Sequence, residues 1–240
     1  MKGRLLIVGT GLQLGHLTIE AKSAITSAKK LLYLVPDIVT ENYLIKLNKN
    51  SESLKGHYKE GKERKNIYEE MIEYIMNQLI EQKDLCVAFY GHPGVFTYPS
   101  HKIIQLAKEM DFTAKMLPGI STEDMIFAEL GIDPGTYGLQ TFEATYFLRQ
   151  TINFDPRCYV ILWQIGVIGQ KDFSQNPNIT NELSQLQKLL LKSYPIEQEI
   201  ILYQSSSHRM FESEITKTQL QNLTEITISP ISTMIIEPLK

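Results

Sequence analysis

With 240 residues, 43% of them hydrophobic and 21% charged, the chain is long enough for one or two buried cores and too apolar for disorder. Its 24 basic and 27 acidic residues leave a net charge of −3, which excludes the electrostatic footprint of a nucleic-acid or acidic-membrane binder. Cys86 and Cys158 lie in the apolar runs LCVAFY and CYVILW and read as buried free thiols of a reducing compartment, and with only five histidines no metal site is predicted. The start of the chain does not read as a signal peptide, and no apolar stretch approaches the ~20 residues that cross a bilayer. The expected location is cytoplasmic.

In chain order, RLLIV (4–8) reads as a buried strand broken by Gly9-Thr10-Gly11. A helix from Thr18 places Ala21, Ala24, Ile25 and Ala28 on one face, and LLYLV (31–35) is a second strand, stopped by Pro36 and Asp37. The clearest helix spans about Asn66–Gln82, where Tyr68, Met71, Ile72, Ile75 and Leu79 recur at helical steps. Strand LCVAFY (85–90), a GHPG turn, a helix opening near Pro99 and a strand AKML (114–117) follow. This alternation predicts a mostly parallel sheet covered by helices. Ser121 and Asp124 form a capping pattern for a helix through Leu130. Beyond it the strand candidates are CYVILWQIG (158–166), EIILYQ (199–204), TEITIS (224–229) and TMIIE (233–237), with one amphipathic helix over about Thr180–Ser193 and a surface loop at 170–178. The reading is an α/β protein of two lobes, 1–118 with a mostly parallel sheet and 119–240 with a mixed one.

Three glycine-broken segments join a strand to a helix in the first half. Gly9-Thr10-Gly11 allows close backbone approach to a ligand, or serves only as a tight turn. A dinucleotide fingerprint requires its third glycine at position 14, where Leu14 stands, and Gly15 comes one residue late. Tyr90-Gly91-His92-Pro93-Gly94-Val95-Phe96 lies past a strand end, where ligands collect in open α/β sheets. His92 there is either a structural turn residue or a general base. The third segment is Leu117-Pro118-Gly119-Ile120-Ser121. Together the three imply a shared ligand cleft.

GTGLQLGHLT, FYGHPGVF and MLPGISTEDMIFAELG, in that order, resemble the tetrapyrrole (corrin/porphyrin) methylase superfamily, and WQIGVIG and STMIIEP fall where that family has strands. The resemblance implies two α/β lobes with S-adenosylmethionine between them. It assigns Tyr90, Gly91, His92, Pro93, Gly94, Val95, Phe96, Ser121, Thr122 and Gln164 to the cofactor. Gly9, Gly11 and His16 go to a loop facing the substrate.

The basic insert SLKGHYKEGKERKNIY (53–68) is by composition a solvated loop. Its spacing permits a sharper reading. Arg64 and Tyr68 share a helix face if the helix starts early, and Tyr58, between Gly56 and Gly61, can fold back over them. A guanidinium beside two phenols lowers the energy of a phenolate and suits a transition state with negative charge on oxygen. The pattern Tyr58-x5-Arg64-x3-Tyr68 resembles the borosin branch of the superfamily, as do TFEAT and WQIGVIG. That likeness implies methylation of backbone amide nitrogens in a ribosomal precursor peptide, with Tyr58, Arg64 and Tyr68 catalytic. Lys55 stands where some members carry a further tyrosine. The chain ends at Lys240, straight after STMIIEP, which resembles the split form that acts on a precursor in trans. The implied assembly is a homodimer, and a heterotetramer with two precursor peptides. The competing readings are a tetrapyrrole or other small-molecule methyltransferase, and a binding module without catalysis.

Overall fold

The aliphatic run at the start becomes β1 (Arg4–Gly9), flanked by β4 (Asp84–Phe89) and β5 (Thr113–Leu117). With β2 (Lys30–Leu34) and β3 (Ser51–Ser53) they form a sheet of order β3-β2-β4-β1-β5, parallel at every pairing. Leu5, Ile7, Leu31, Leu32 and Val87 are fully buried. Central strands covered on both faces need continuous apolar runs, which is why these were legible.

The structure is a computed structural model that describes residues 3–239. It divides into two units, one of residues up to Met125 together with Ser206–Phe211, the other of Ile126–Ser205 with the residues from Glu212 onward. The division falls inside a helix, a few residues past the boundary expected at 118.

In the first unit α1 (Ile19–Ser27) is capped by Thr18, whose hydroxyl accepts the Ala21 N–H at 3.0 Å. Helix α2 (Ile38–Leu47) is capped by Asp37, which accepts from the Thr40 N–H at 2.8 Å. Asp37 therefore opens a helix three residues after β2 ends, and the sequence reading missed that helix. Helix α3 (Arg64–Gln82) starts two residues before Asn66, and α4 (Tyr98–Glu109) opens with Pro99 in its first turn. In α5 (Thr122–Leu130) the Asp124 half of the expected cap forms: the backbone N–H and hydroxyl of Ser121 both donate to Asp124, at 2.7 and 2.8 Å.

The second unit adds a single turn, α6 (Pro134–Tyr137), a short α7 (Ala144–Arg149) and α8 (Thr180–Leu190). Its strands are β6 (Leu139–Glu143), β7 (Tyr159–Trp163), β8 (Glu199–Gln204), β9 (Glu214–Gln219) and β10 (Thr233–Ile236). The order is β6-β7-β10-β8-β9, parallel only at β6–β7, so the sheet is mixed as expected. Leu183, Leu186 and Leu190 of α8 pack on Leu162, Ile200 and Ile236.

Three expectations fail. TEITIS (224–229) is no strand: Ile226 and Ile228 pack on the core from an irregular segment. Its end, Ser229, runs so close to Gly166 that a Cβ there would lie 1.8 Å from the Ser229 carbonyl oxygen. The run CYVILWQIG is a strand only to Trp163, because Gln164 turns left-handed (φ 59°) into a 3-10 turn. Cys158 is only half-buried; Cys86 is fully buried, and burial pushes its thiol up to about 12. Among the described residues no helix is long and apolar enough to cross a membrane, and no group of three His, Cys, Asp or Glu is placed to hold a metal.

Candidate active site

The three glycine segments meet at the carboxyl ends of β1, β4 and β5. Gly11 and Gly91 form a two-way backbone bridge, Gly91 N–H to Gly11 O at 2.9 Å and Gly11 N–H to Gly91 O at 3.2 Å. Gly9 packs against Gly119: a Cβ on Gly9 would lie 2.4 Å from the Gly91 carbonyl oxygen and 2.8 Å from Gly119 Cα. These glycines are required by backbone meeting backbone. Within the first unit the three segments are therefore brought together by direct backbone contact. His16 folds back on the first segment, where its Nδ1 accepts the Leu12 N–H at 3.3 Å.

In the second segment His92 Nδ1 accepts the Gly94 N–H at 2.9 Å. That nitrogen is committed to the turn, which favours the structural reading of His92 over the basic one. His101, on α4, holds the other side: its Nε2 lies 2.9 Å from the Gly94 carbonyl oxygen, to which it donates. The sequence reading missed His101. Its place one turn into the helix that follows the Gly94 segment was the available signal. Val95 and Phe96 remain exposed.

Four non-glycine residues take positive φ among the described residues. Lys83 and Asp111 end helices, an ordinary place for it. Phe96 (φ 51°) and Gln164 (φ 59°) do not, and both are candidate cofactor residues; strain held without a local structural reason gathers at functional sites.

The early start of α3 puts Arg64 in its first turn, with no acidic residue there. The guanidinium lies at the positive end of the helix dipole, next to Glu63 at the N-cap. Tyr58, just past a 3-10 turn (Leu54–His57), is hydrogen-bonded to Tyr68 and feels the Arg64 charge, so the expected set of three assembles. One expectation needs correction. Arg64 does pull the Tyr58 phenol down, but burial, followed by the neighbouring Tyr68, pushes it up by more. Tyr58 keeps its proton. The ring of Tyr68 lies 6.4 Å from that of Tyr98, an exposed residue of the first turn of α4 that the sequence reading also missed. Through that contact the Tyr–Arg–Tyr set adjoins the segment ending at Phe96.

Solved structures share this architecture. The uroporphyrin-III C-methyltransferase of Thermus thermophilus matches with TM-score 0.67 over 98% of this chain and 92% of that one, at 14% identity. A cobalt precorrin-4 methyltransferase matches with TM-score 0.68 over 98% and 94%, also at 14% identity. The Thermus enzyme complexed with S-adenosyl homocysteine gives TM-score 0.65 over 98% and 92%, at 13% identity. The class is thus a methylase fold. The chain belongs to the tetrapyrrole (corrin/porphyrin) methylase family, matching it over residues 4–223.

Within the curated proteins it is 38% identical, over 84% of its length, to the methyltransferase/ribosomally synthesized cyclic peptide omphalotin A precursor of Omphalotus olearius, covering 48% of that protein. It is 36% identical over 98% of its length to the corresponding gymnopeptides precursor of Gymnopus fusipes, covering 57% of it. A type III borosin precursor from Anomoporia bombycina is 40% identical over 71% of the chain and 20% of its own length. The chain spans about half the length of the first two relatives.

Proposed function

We propose that the protein is an S-adenosylmethionine-dependent methyltransferase that N-methylates backbone amides of a ribosomal precursor peptide, as in borosin biosynthesis. The observation that carries this is the Tyr58–Arg64–Tyr68 set beside the glycine segments. Two phenols beside a guanidinium suit an amide acceptor. Its nitrogen lone pair is delocalised into the carbonyl, so transfer needs the N–H proton removed and the oxygen stabilised. The borosin names of its relatives point the same way.

The residues fit the donor. Phe96 and Val95 offer exposed apolar surface at the end of the second segment. The Ser121 hydroxyl, which donates to Asp124, keeps its lone pairs for a ligand donor, and Thr122 opens the adjoining helix N-terminus. We assign Tyr90 to Phe96, Ser121, Thr122 and Gln164 to S-adenosylmethionine, and Gly9, Gly11 and His16 to the loop facing the peptide. When bound, the donor supplies a methyl group on a sulfonium, electrophilic without further activation. For transfer Tyr68 has to be in its phenolate form, and its oxygen would then accept the amide proton. Tyr58, which holds its own proton, donates to the oxygen that gathers negative charge, and Arg64 supports both.

The precursor is a separate chain in this reading, and the enzyme a homodimer that forms a heterotetramer with two precursors. Incubation with S-adenosylmethionine and a precursor peptide supplied in trans tests it, with a tetrapyrrole in a parallel reaction. Mass increments of one methyl on the peptide are expected. Methylation of the tetrapyrrole alone would replace the peptide reading, and size-exclusion chromatography with light scattering reads the assembly.

The His92 turn gives a sharper check on the cofactor side. His92→Ala removes the acceptor for the Gly94 N–H, a hydrogen bond worth about 1 kcal/mol, and calorimetry should show S-adenosylmethionine binding about fivefold weaker. His92→Asn, whose side chain reaches the same N–H two residues on, restores most of it.

A further inference from the structure

The turn that carries Tyr58 has little of its own to hold it. Gly56 and Gly61 flank it, a Cβ at either would meet open space, and β3, which leads into it, is a three-residue edge strand. Leu54 is its buried anchor, and the Tyr58 N–H donates to the Lys55 carbonyl at 3.0 Å.

Two carboxylates hold the turn from opposite sides. On one side Glu41 of α2 takes the Lys55 ammonium on Oε2 at 3.1 Å, while its Oε1 accepts the phenol of the buried Tyr33 at 2.9 Å. The same ammonium reaches the Pro36 carbonyl at 3.5 Å, and Ser53, at the start of the turn, is hydrogen-bonded to Tyr33. On the other side Glu52 of β3 takes the Lys30 ammonium on Oε2 at 2.6 Å, and its Oε1 accepts the phenol of Tyr74 on α3. The ring of His57, the residue before Tyr58, tilts against Tyr74 with centroids 5.5 Å apart.

Each carboxylate therefore joins one phenol and one ammonium, with both oxygens used. The phenols of Tyr33 and Tyr74 are pushed up to about 12 by burial and then by their carboxylate partners, so both remain donors at any working pH. These are connected groups around partly buried phenols, unlike isolated surface ion pairs, which contribute little. Tyr74 sits on the helix that carries Arg64 and Tyr68, so the second carboxylate ties the Tyr58 turn to the rest of the set. Lys55, the departure from the tyrosine of some family members, is here the bolt of the first.

We propose that Glu41 and Glu52 are positioning residues: through Lys55 the first holds the Tyr58 turn to α2, and through Tyr74 the second holds it to α3, so that Tyr58, Arg64 and Tyr68 stand in reacting geometry before a substrate arrives. The inference rests on the proposed peptide methylation for its kinetic consequence, but not for its structural one.

The test uses the full chain with Lys55→Met, Tyr74→Phe, both together, and Lys55→Arg, which keeps the cation. Hydrogen exchange of the backbone amides over residues 54–62, read by mass spectrometry, should speed up about tenfold in the double variant, with the strands of the first sheet still protected. On the precursor peptide kcat should fall about ten- to a hundredfold, the scale of a misplaced catalytic group, with KM and donor affinity within about twofold. Lys55→Arg should recover most of it. Unchanged exchange at Tyr58 in a folded double variant overturns the proposal whether or not a peptide is methylated, and so does faster exchange with kcat intact. If the wild-type protein methylates no peptide while the double variant shows the faster exchange, the peptide reading falls and the clamp stands.

Discussion

Tyr68→Phe should abolish methyl transfer to the peptide, with kcat lower by about 10²- to 10⁴-fold, the usual contribution of a positioned general base. The substitution removes one oxygen and keeps the ring, so the contact with Tyr98 and the buried face of α3 (Ile67, Met71, Ile75) are preserved. What is lost is the hydrogen bond between Tyr68 and Tyr58 and, in the proposed mechanism, the site that receives the amide proton. Calorimetric affinity for S-adenosylmethionine should stay within about twofold, since none of the proposed donor contacts changes. Single-turnover rates retained at the wild-type level would remove Tyr68 from the mechanism. The partner variant, Tyr58→Phe, deletes a donor instead of a base. Its effect on kcat should be smaller, because Arg64 still faces the developing charge.

The second large effect belongs to the glycines. Gly119→Ala should lower stability by about 3 kcal/mol, which for a chain of this size is a fall in Tm of about 6–12 °C. A Cβ there would lie 2.5 Å from the Gly91 carbonyl oxygen and 2.8 Å from Gly9 Cα, so backbone blocks it on both sides and no side chain can swing away. Relief comes only by parting the segments after β1, β4 and β5, and donor binding should weaken with the melting temperature. Gly15→Ala is the control. A Cβ there meets nothing within 4 Å, and calorimetry should find its Tm unchanged. Equal melting temperatures for the two variants would show that the segments are not held together by close backbone contact.

These two effects also mark what was legible in the sequence. The parallel sheet announced itself because strands such as RLLIV and LCVAFY are buried on both faces and contain little else but apolar residues. The Ser121–Asp124 cap was legible because its chemistry is local, three residues apart. Helix α2 was not: a Pro-Asp pair after an apolar run signals a strand end, while here the Asp37 carboxylate caps a helix. Strand β9 escaped because its side chains are almost all exposed, so EITKTQ carries no apolar alternation, while TEITIS carries that alternation and makes no ladder. In one case pairing came without the pattern and in the other the pattern came without pairing.

The candidate site divides in the same manner. Tyr58, Arg64 and Tyr68 could be proposed from spacing because a single helix start decides whether two of them share a face. That burial outweighs Arg64 at the Tyr58 phenol depends on neighbours distant in sequence, and so do the roles of His101, Glu41 and Glu52. Long-range pairings such as Glu52 with Lys30 and Tyr74 leave no local signature. Lys55 stood out in the sequence only as a departure, and its ion pair with Glu41 gives the departure a structural role.

The central claim is that the methyl group goes to a backbone amide nitrogen. The direct measurement is fragmentation mass spectrometry of a precursor peptide incubated with the protein and S-adenosylmethionine carrying a deuterated methyl. Label is expected on backbone fragments, one methyl per modified residue, placed irrespective of side-chain type and absent with Tyr68→Phe. Label confined to side chains, or an unlabelled peptide beside a protein that binds the donor, would contradict that claim.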